Sequence, residues 1–170
     1  MKIVEGLKEL RIIEKRMNKN IEQISEYSSI LNVERPVFGD EETQRKKVSQ
    51  LIQSNNDLLK EYLELKRRID RTNLEVTVEI RGEQYTLADA LAIKRKLSPI
   101  MLDTYNALTT HAADKKLMVR KMASESGQVV SVVRLYREED KLEGLSKWQD
   151  LYDNIESRLE VINATRDLLE

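Results

Sequence analysis

No cysteine occurs in the 170 residues, so disulfide frameworks, thiol nucleophiles and cysteine-based zinc or iron-sulfur sites are excluded. Glycine and proline are scarce, five and two, and a chain so poor in turn residues spends most of its length in helix. Aromatic residues make up 5%, so long amphipathic surfaces must supply the burial. No sign of charge dominates: 29 Lys plus Arg against 30 Asp plus Glu give a net charge of -1, leaving no global field to gather nucleic acid or anionic lipid. Long apolar runs are missing too, and the opening MKIVEGLKELRIIEKR is charged from its second residue, unlike a signal peptide or a membrane span. These absences point to a soluble protein of the cytoplasm, or of a virion assembled there, with no membrane partner. The length suits one domain, 1–170.

What is present is helical periodicity. Ile3, Leu7, Leu10, Met17, Ile21, Ile24 and Leu31 alternate three and four apart, with Glu14 and Ser28 breaking the stripe. That heptad pattern predicts a first helix of about 45 Å lying along a neighbour. Asn32 to Gly39 holds Pro36 and reads as a loop. Asp40 offers an N-cap, and Val48, Leu51, Ile52, Leu58, Leu59, Tyr62, Leu65 and Ile69 then define a second long helix ending near Asn73. Asn55 interrupts this stripe where a buried amide can fix register between helices.

After Asn73 the period changes to two. Val76, Val78 and Ile80 alternate with Thr77 and Glu79, Arg81 and Gly82 supply a turn, and Glu83 to Tyr85 returns as a partner strand. Thr86 with Asp89 reads as a capping box opening a third helix, inside which Pro99 predicts a kink or break near Lys96. Lys116 to Ala123 could extend the third helix or form a strand, while the valine-rich Gln128 to Tyr136 reads as a strand; the favoured reading pairs the two as a second hairpin, with Ser124 to Gly127 as its turn. A last helix carries Leu145, Trp148, Leu151, Tyr152, Ile155, Leu159, Ile162 and Leu169 to the end of the chain.

Two stretches repeat one chemistry. Aligning Tyr62–Asn73 with Tyr152–Asn163 matches Tyr62 with Tyr152, Leu65 with Ile155, Arg68 with Arg158, Ile69 with Leu159, Asp70 with Glu160 and Asn73 with Asn163. The first and third helices echo each other more faintly, Leu7 with Leu91, Arg11 with Arg95, Ile13 with Leu97 and Met17 with Met101. The fold expected is mainly α with a small β element: a pseudo-duplicated bundle of four long helices with one or two short β-hairpins. Residues 1–73 form the first helical hairpin, 74–85 the β element, and 86–170 the second helical hairpin with a β insert near 116–136.

The ending Ile69-Asp-Arg-Thr-Asn73, the strand after it, Thr86-Leu-Ala-Asp-Ala-Leu91 with Lys94 and Arg95, and the Asn-containing last helix resemble the septicolysin-like family of small bacterial helical proteins. The resemblance spans most of the chain. It implies a helical, oligomeric protein of uncharacterised function and supplies no catalytic residue.

Candidate sites are sparse. His111 is the one histidine, with Asp114 three residues on, and a lone histidine in such a setting is ordinarily structural. Glu138, Glu139 and Asp140 lack the spacing of a calcium loop. No phosphate loop or nucleophile elbow occurs, so catalytic residues, metal and cofactors are expected to be none. Arg68, Asp70, Asn73, Arg158, Glu160 and Asn163 form a candidate structural polar cluster, the asparagines as helix C-caps or cross-bundle hydrogen bonders. From Lys94 to Lys121 there are seven bases against two acids, and from Glu138 to Glu170 ten acids against four bases, complementary segments within one chain or across a subunit contact. Lys94, Arg95, Lys96, Lys115, Lys116, Arg120 and Lys121 are the candidate nucleic-acid contacts. The function expected is a non-catalytic homo-oligomeric structural or interaction protein, partnered by itself and by other proteins of an assembly such as a phage particle. The alternative is an accessory nucleic-acid binder using residues 94–121, and a hydrolase with an unrecognised site ranks last.

Overall fold

A computed structural model describes residues 1–123 and 129–170. The chain is mainly helical with one small two-stranded antiparallel sheet, and it divides into two compact units, Met1–Thr77 with Glu160–Glu170, and Val78–Leu159.

The first unit is built on α1 (Ile3–Tyr27) and α2 (Glu41–Glu75). The Asp40 carboxylate accepts from the Thr43 N–H at 2.9 Å, capping α2 as its sequence predicts and holding the Asp40 carboxyl below its usual pKa. Along α1 the buried residues are Ile3, Gly6, Leu10 and Ile13, continued by half-buried Met17, Asn20, Ile24 and Tyr27. Along α2 they are Gln44, Leu51, Leu58, Leu65, Ile69 and Thr72, with Val48, Asn55 and Tyr62 half-buried between them. Both sets step by three and four, the seam of a coiled-coil hairpin. Its antiparallel register is fixed by three contacts: Asn20 Nδ2 donates to Asn55 Oδ1 at 2.9 Å, the Tyr62 hydroxyl donates to Glu14 at 3.0 Å, and Gly6 faces Ile69 and Leu65.

The seam differs from the expected stripe by one residue at every second position. Gly6, Ile13, Asn20 and Tyr27 face α2, whereas Leu7 and Ile21 are exposed. At Gly6 the reason is spatial: a Cβ there would lie 2.8 Å from Leu168 Cδ1. α1 also stops at Tyr27, short of Leu31, because Gln44 takes over the chain. Its Nε2 donates to the Tyr27 carbonyl at 3.0 Å, its Oε1 accepts from the Val37 N–H at 2.9 Å, and Phe38 packs edge-on against the Tyr27 ring at 4.9 Å.

The base of the hairpin is closed by residues 166–170. The last helix ends at Thr165, where the sequence predicts helix to the terminus. Lys2 and Asp167 then form an antiparallel bridge, with Ile3 N–H to the Arg166 carbonyl at 3.0 Å and Leu168 N–H to the Met1 carbonyl at 2.8 Å. Leu168 is buried, and removing its apolar surface from water outweighs another helical turn in water. A closed ring of hydrogen bonds surrounds fully buried Thr72: Leu169 N–H donates to its Oγ1 at 2.9 Å, its hydroxyl donates to the Arg68 carbonyl at 2.7 Å, and Arg68 Nε donates to the Leu169 carbonyl at 3.3 Å.

The second unit begins in β1 (Thr77–Ile80), paired with β2 (Glu83–Thr86). Arg81 and Gly82 both take positive φ, 55° and 83°, the two-residue turn that matches the twist of a hairpin. Val78 and Ile80 point inward and Thr77 and Glu79 outward, as the alternation predicts. Thr86 and Asp89 form the expected capping box of α3 (Leu87–Ala92). The break expected near Lys96 is a π-helical turn, Ile93–Leu97, before α4 (Ser98–Asn106), and the Ser98 N–H reaches back to the Ile93 carbonyl. Pro99 has no N–H to offer an α-helical ladder, and the wider turn absorbs that gap.

α5 (His111–Ala123) and α6 (Glu138–Thr165) complete the unit, apart from the end of α6, which belongs to the first unit. α6 packs its buried Gly144 under the Tyr105 ring, where a larger residue's Cβ would overlap the ring, and buries Ile155 and Leu159. The second β-hairpin is not formed. Lys116–Ala123 is helix, and residues 129–136 contain no strand; the turn proposed at Ser124–Gly127 lies outside the described residues. Valines at 129, 130, 132 and 133 favour extended backbone, but their expected partner strand is helical, so no ladder is available to them.

Candidate interaction surfaces

Five of the six repeated pairs keep their burial, and the polar ones lose their chemistry. Leu65 and Ile69 are buried in the first unit, Ile155 and Leu159 in the second. Asp70 and Glu160 are both exposed, Asn73 and Asn163 both half-buried, and each asparagine stands two residues before the end of its helix. Their polar partners differ. Arg68 serves the ring at Thr72, whereas Arg158 is exposed. Asp70 pairs with Lys66 along its own helix. The Tyr62 hydroxyl holds Glu14, which raises the tyrosine pKa above its ordinary value, while Tyr152 lies under Lys94 Nζ at 5.8 Å from the ring centre. Among the described residues no hydrogen bond or ion pair joins the two sets, and neither asparagine side chain caps a helix. Within the first unit Arg68, Asp70, Asn73, Glu160 and Asn163 share no bond among the described residues. The fainter echo also fails: Ile13 is buried, Leu97 is exposed, and the third helix is broken where α1 is continuous.

The basic segment divides in two. Lys94 is half-buried and paired with Glu156 at 2.8 Å, which joins the basic and acidic segments inside the chain, while Arg95 and Lys96 project into solvent from the π turn. Lys115, Lys116, Arg120 and Lys121 are exposed along α5. No described side chain of α5 is fully buried, and Met118 and Val119 are exposed beside the cations, as are Val129, Val133 and Leu135 beyond the helix. A helix that buries no face relies on a partner or on the rest of the chain for its order.

His111 does not pair with Asp114. The Asp114 carboxylate accepts from the Thr110 hydroxyl at 2.8 Å, and its N–H donates to the Thr110 carbonyl, so Asp114 serves the start of α5. Among the described residues no cluster of His, Asp or Glu has the grouping of a metal site, and no helix is long and apolar enough to cross a membrane.

The remaining features are apolar. On the hairpin, Leu7, Ile12 and Ile21 of α1 and Ile52, Leu59 and Leu63 of α2 lie in solvent, outside a seam already filled. At the loop end of the hairpin Leu31, Val33 and Val37 are exposed beside an open groove of about 630 Å³ lined by Tyr27, Ile30, Leu31, Gln44 and Val48. Sequence reasoning missed Gln44, Thr72 and Leu168, which shape the hairpin ends. Extending the α2 heptad backward from Val48 and forward from Ile69 places Gln44 and Thr72 in the seam, and a polar residue there is the available signal. No protein-family model, curated protein or solved structure matches the chain.

Proposed function

We propose that the protein is a non-catalytic, homo-oligomeric structural or interaction protein, working as part of a larger assembly such as a phage particle. One observation carries this: α1 and α2 satisfy each other along a complete seam and still hold Leu7, Ile12, Ile21, Ile52, Leu59 and Leu63 in water. Apolar residues gathered on helices whose seam is already filled are a cost in a monomer and a contact in an oligomer. The resemblance of Ile69–Asn73 and Thr86–Leu91 to septicolysin-like proteins agrees with an oligomeric helical protein. The mass in solution tests the proposal: light scattering at micromolar concentration yields a multiple of one chain, and a strict monomer overturns it.

A second reading has its own support, the exposed cations of α5, Lys115, Lys116, Arg120 and Lys121. A nucleic-acid contact there binds DNA or RNA with an affinity that falls steeply as salt rises. Changing all four to alanine abolishes that binding if this reading holds, and no binding at low salt removes it.

A further inference from the structure

α2 carries a second stripe that the hairpin leaves unused. Ile52, Asn56, Leu59 and Leu63 are all exposed and step by four, three and four. The same steps continue backward to Ser49 and Arg45 and forward to Lys66 and Asp70. Each lies one residue after a seam position, and one residue is about 100° of helix. This face therefore stands at about a right angle to the one packed on α1, as a corner helix of a four-helix bundle requires.

Resting on the self-association proposed above, we infer that the occupant of this stripe is a second copy of the chain, docked α2 against α2 in antiparallel register about a two-fold axis midway between Asn56 and Leu59. The spacing reads the same in both directions, so the axis sets Ile52 against Leu63 of the second copy and Asn56 against its Leu59. Outside them, Ser49 meets Lys66 and Arg45 meets Asp70. Charge selects this orientation. Arg45 is already paired with Glu41 at 3.3 Å and Asp70 with Lys66, so at each end Glu41, Arg45, Asp70 of the second copy and its Lys66 alternate in sign. A parallel pairing instead sets Arg45 on Arg45 and Asp70 on Asp70, like charges that disfavour it. Asn56 in the middle of the stripe costs stability and fixes the register.

The absence of native cysteine makes the test direct. Ile52 and Leu63 are 48% and 43% exposed, so Ile52→Cys and Leu63→Cys leave the hairpin seam intact. Oxidising an equimolar mixture of the two variants produces a disulfide-linked dimer containing one of each, while either variant alone stays unlinked. In this register the two copies of position 52 stand about 16 Å apart along the axis, beyond the reach of a disulfide. Linking of Ile52→Cys with itself indicates a parallel pairing and overturns the register. A mixture that stays unlinked although light scattering shows a dimer moves the contact elsewhere and leaves the proposed function standing; a monomer by light scattering sinks both. Independently, Arg45→Glu raises the dimer dissociation constant about tenfold at low salt, and adding Asp70→Arg restores it. No effect of the single change, or no rescue by the second, counts against the antiparallel register.

Discussion

Among the described residues two glycines sit inside helices, and their neighbours give them different tolerance. At Gly144 an added Cβ would fall within 2.2 to 2.5 Å of three ring atoms of Tyr105. The Tyr105 ring is half-buried, and clearing three overlapping atoms means displacing the whole ring, so Gly144→Ala should cost about 2 to 3 kcal/mol in urea unfolding. At Gly6 the close atom is the end of the Leu168 side chain, at 2.8 Å. A leucine changes rotamer easily, and the alanine also gains helix propensity, so Gly6→Ala should cost less than about 1 kcal/mol. Equal losses at the two sites would mean that the Tyr105 contact is not as tight as the structure has it.

Asp167 gives the clamp at the base of the hairpin its pH dependence. The Lys2 ammonium, 2.8 Å away, is the largest cause holding its carboxyl below the ordinary aspartate value. A depressed folded-state pKa means stability that is present above the unfolded pKa, near 4, and lost as pH falls through the lower folded value. Acidification should therefore loosen the Lys2–Asp167 contact only below about pH 4, while buried Leu168 and the Thr72 bonds keep the segment in place. Amide exchange of Ile3 and Leu168 reports this, and in Asp167→Asn the acid-dependent step should vanish. Persistence of the step in that variant would assign it to another carboxylate.

Among the elements, the hairpin seam is set by apolar layers interrupted in its middle by an asparagine layer. Asn20 Nδ2 donates to Asn55 Oδ1 and to the Ser54 hydroxyl at 3.1 Å, and the Asn55 amide donates to the Met17 carbonyl at 3.4 Å. Replacing both with leucine removes paired polar groups and adds apolar contact, which should stabilise the hairpin by about 1 to 2 kcal/mol while loosening its register. Replacing Asn55 alone takes from the Asn20 amide its acceptor across the seam, leaving it only the Ser54 hydroxyl, and should destabilise the hairpin, a contrast visible in thermal unfolding.

Much of this element level was legible from local chemistry. Asp40, the Arg81–Gly82 turn, the Thr86–Asp89 box and the irregularity ahead of Pro99 each act within a few residues, so the sequence alone carries them. Tertiary choices were not. A heptad pattern leaves one residue of ambiguity, and Leu7 looks better than Gly6 until Leu168 is known to pack there. Residues 129–136 read as strand because valine favours extended backbone, yet a strand needs a partner, and residues 116–123 became helix instead. The last helix stops at Thr165 without a breaker residue because the chain beyond it is held by Lys2, Thr72 and Arg68. For the candidate sites, Asp70 and Glu160 are alike in exposure, as are Asn73 and Asn163, but the bonding partners a polar cluster needs depend on neighbours no periodicity describes.

At the scale of the whole molecule the central claim is self-association through surface the hairpin does not bury. Near-zero net charge permits it, since no strong field keeps copies apart. The most direct measurement is the sedimentation-equilibrium mass of the wild-type chain and of Leu59→Lys across a dilution series. Leu59 is exposed and off the α1 seam, so the substitution spares the fold while placing a charge beside the proposed axis. The account predicts wild-type protein at twice the 19.9 kDa of one chain, dissociating on dilution, and Leu59→Lys at the mass of one chain under the same conditions. A wild-type mass of one chain at every concentration would contradict it.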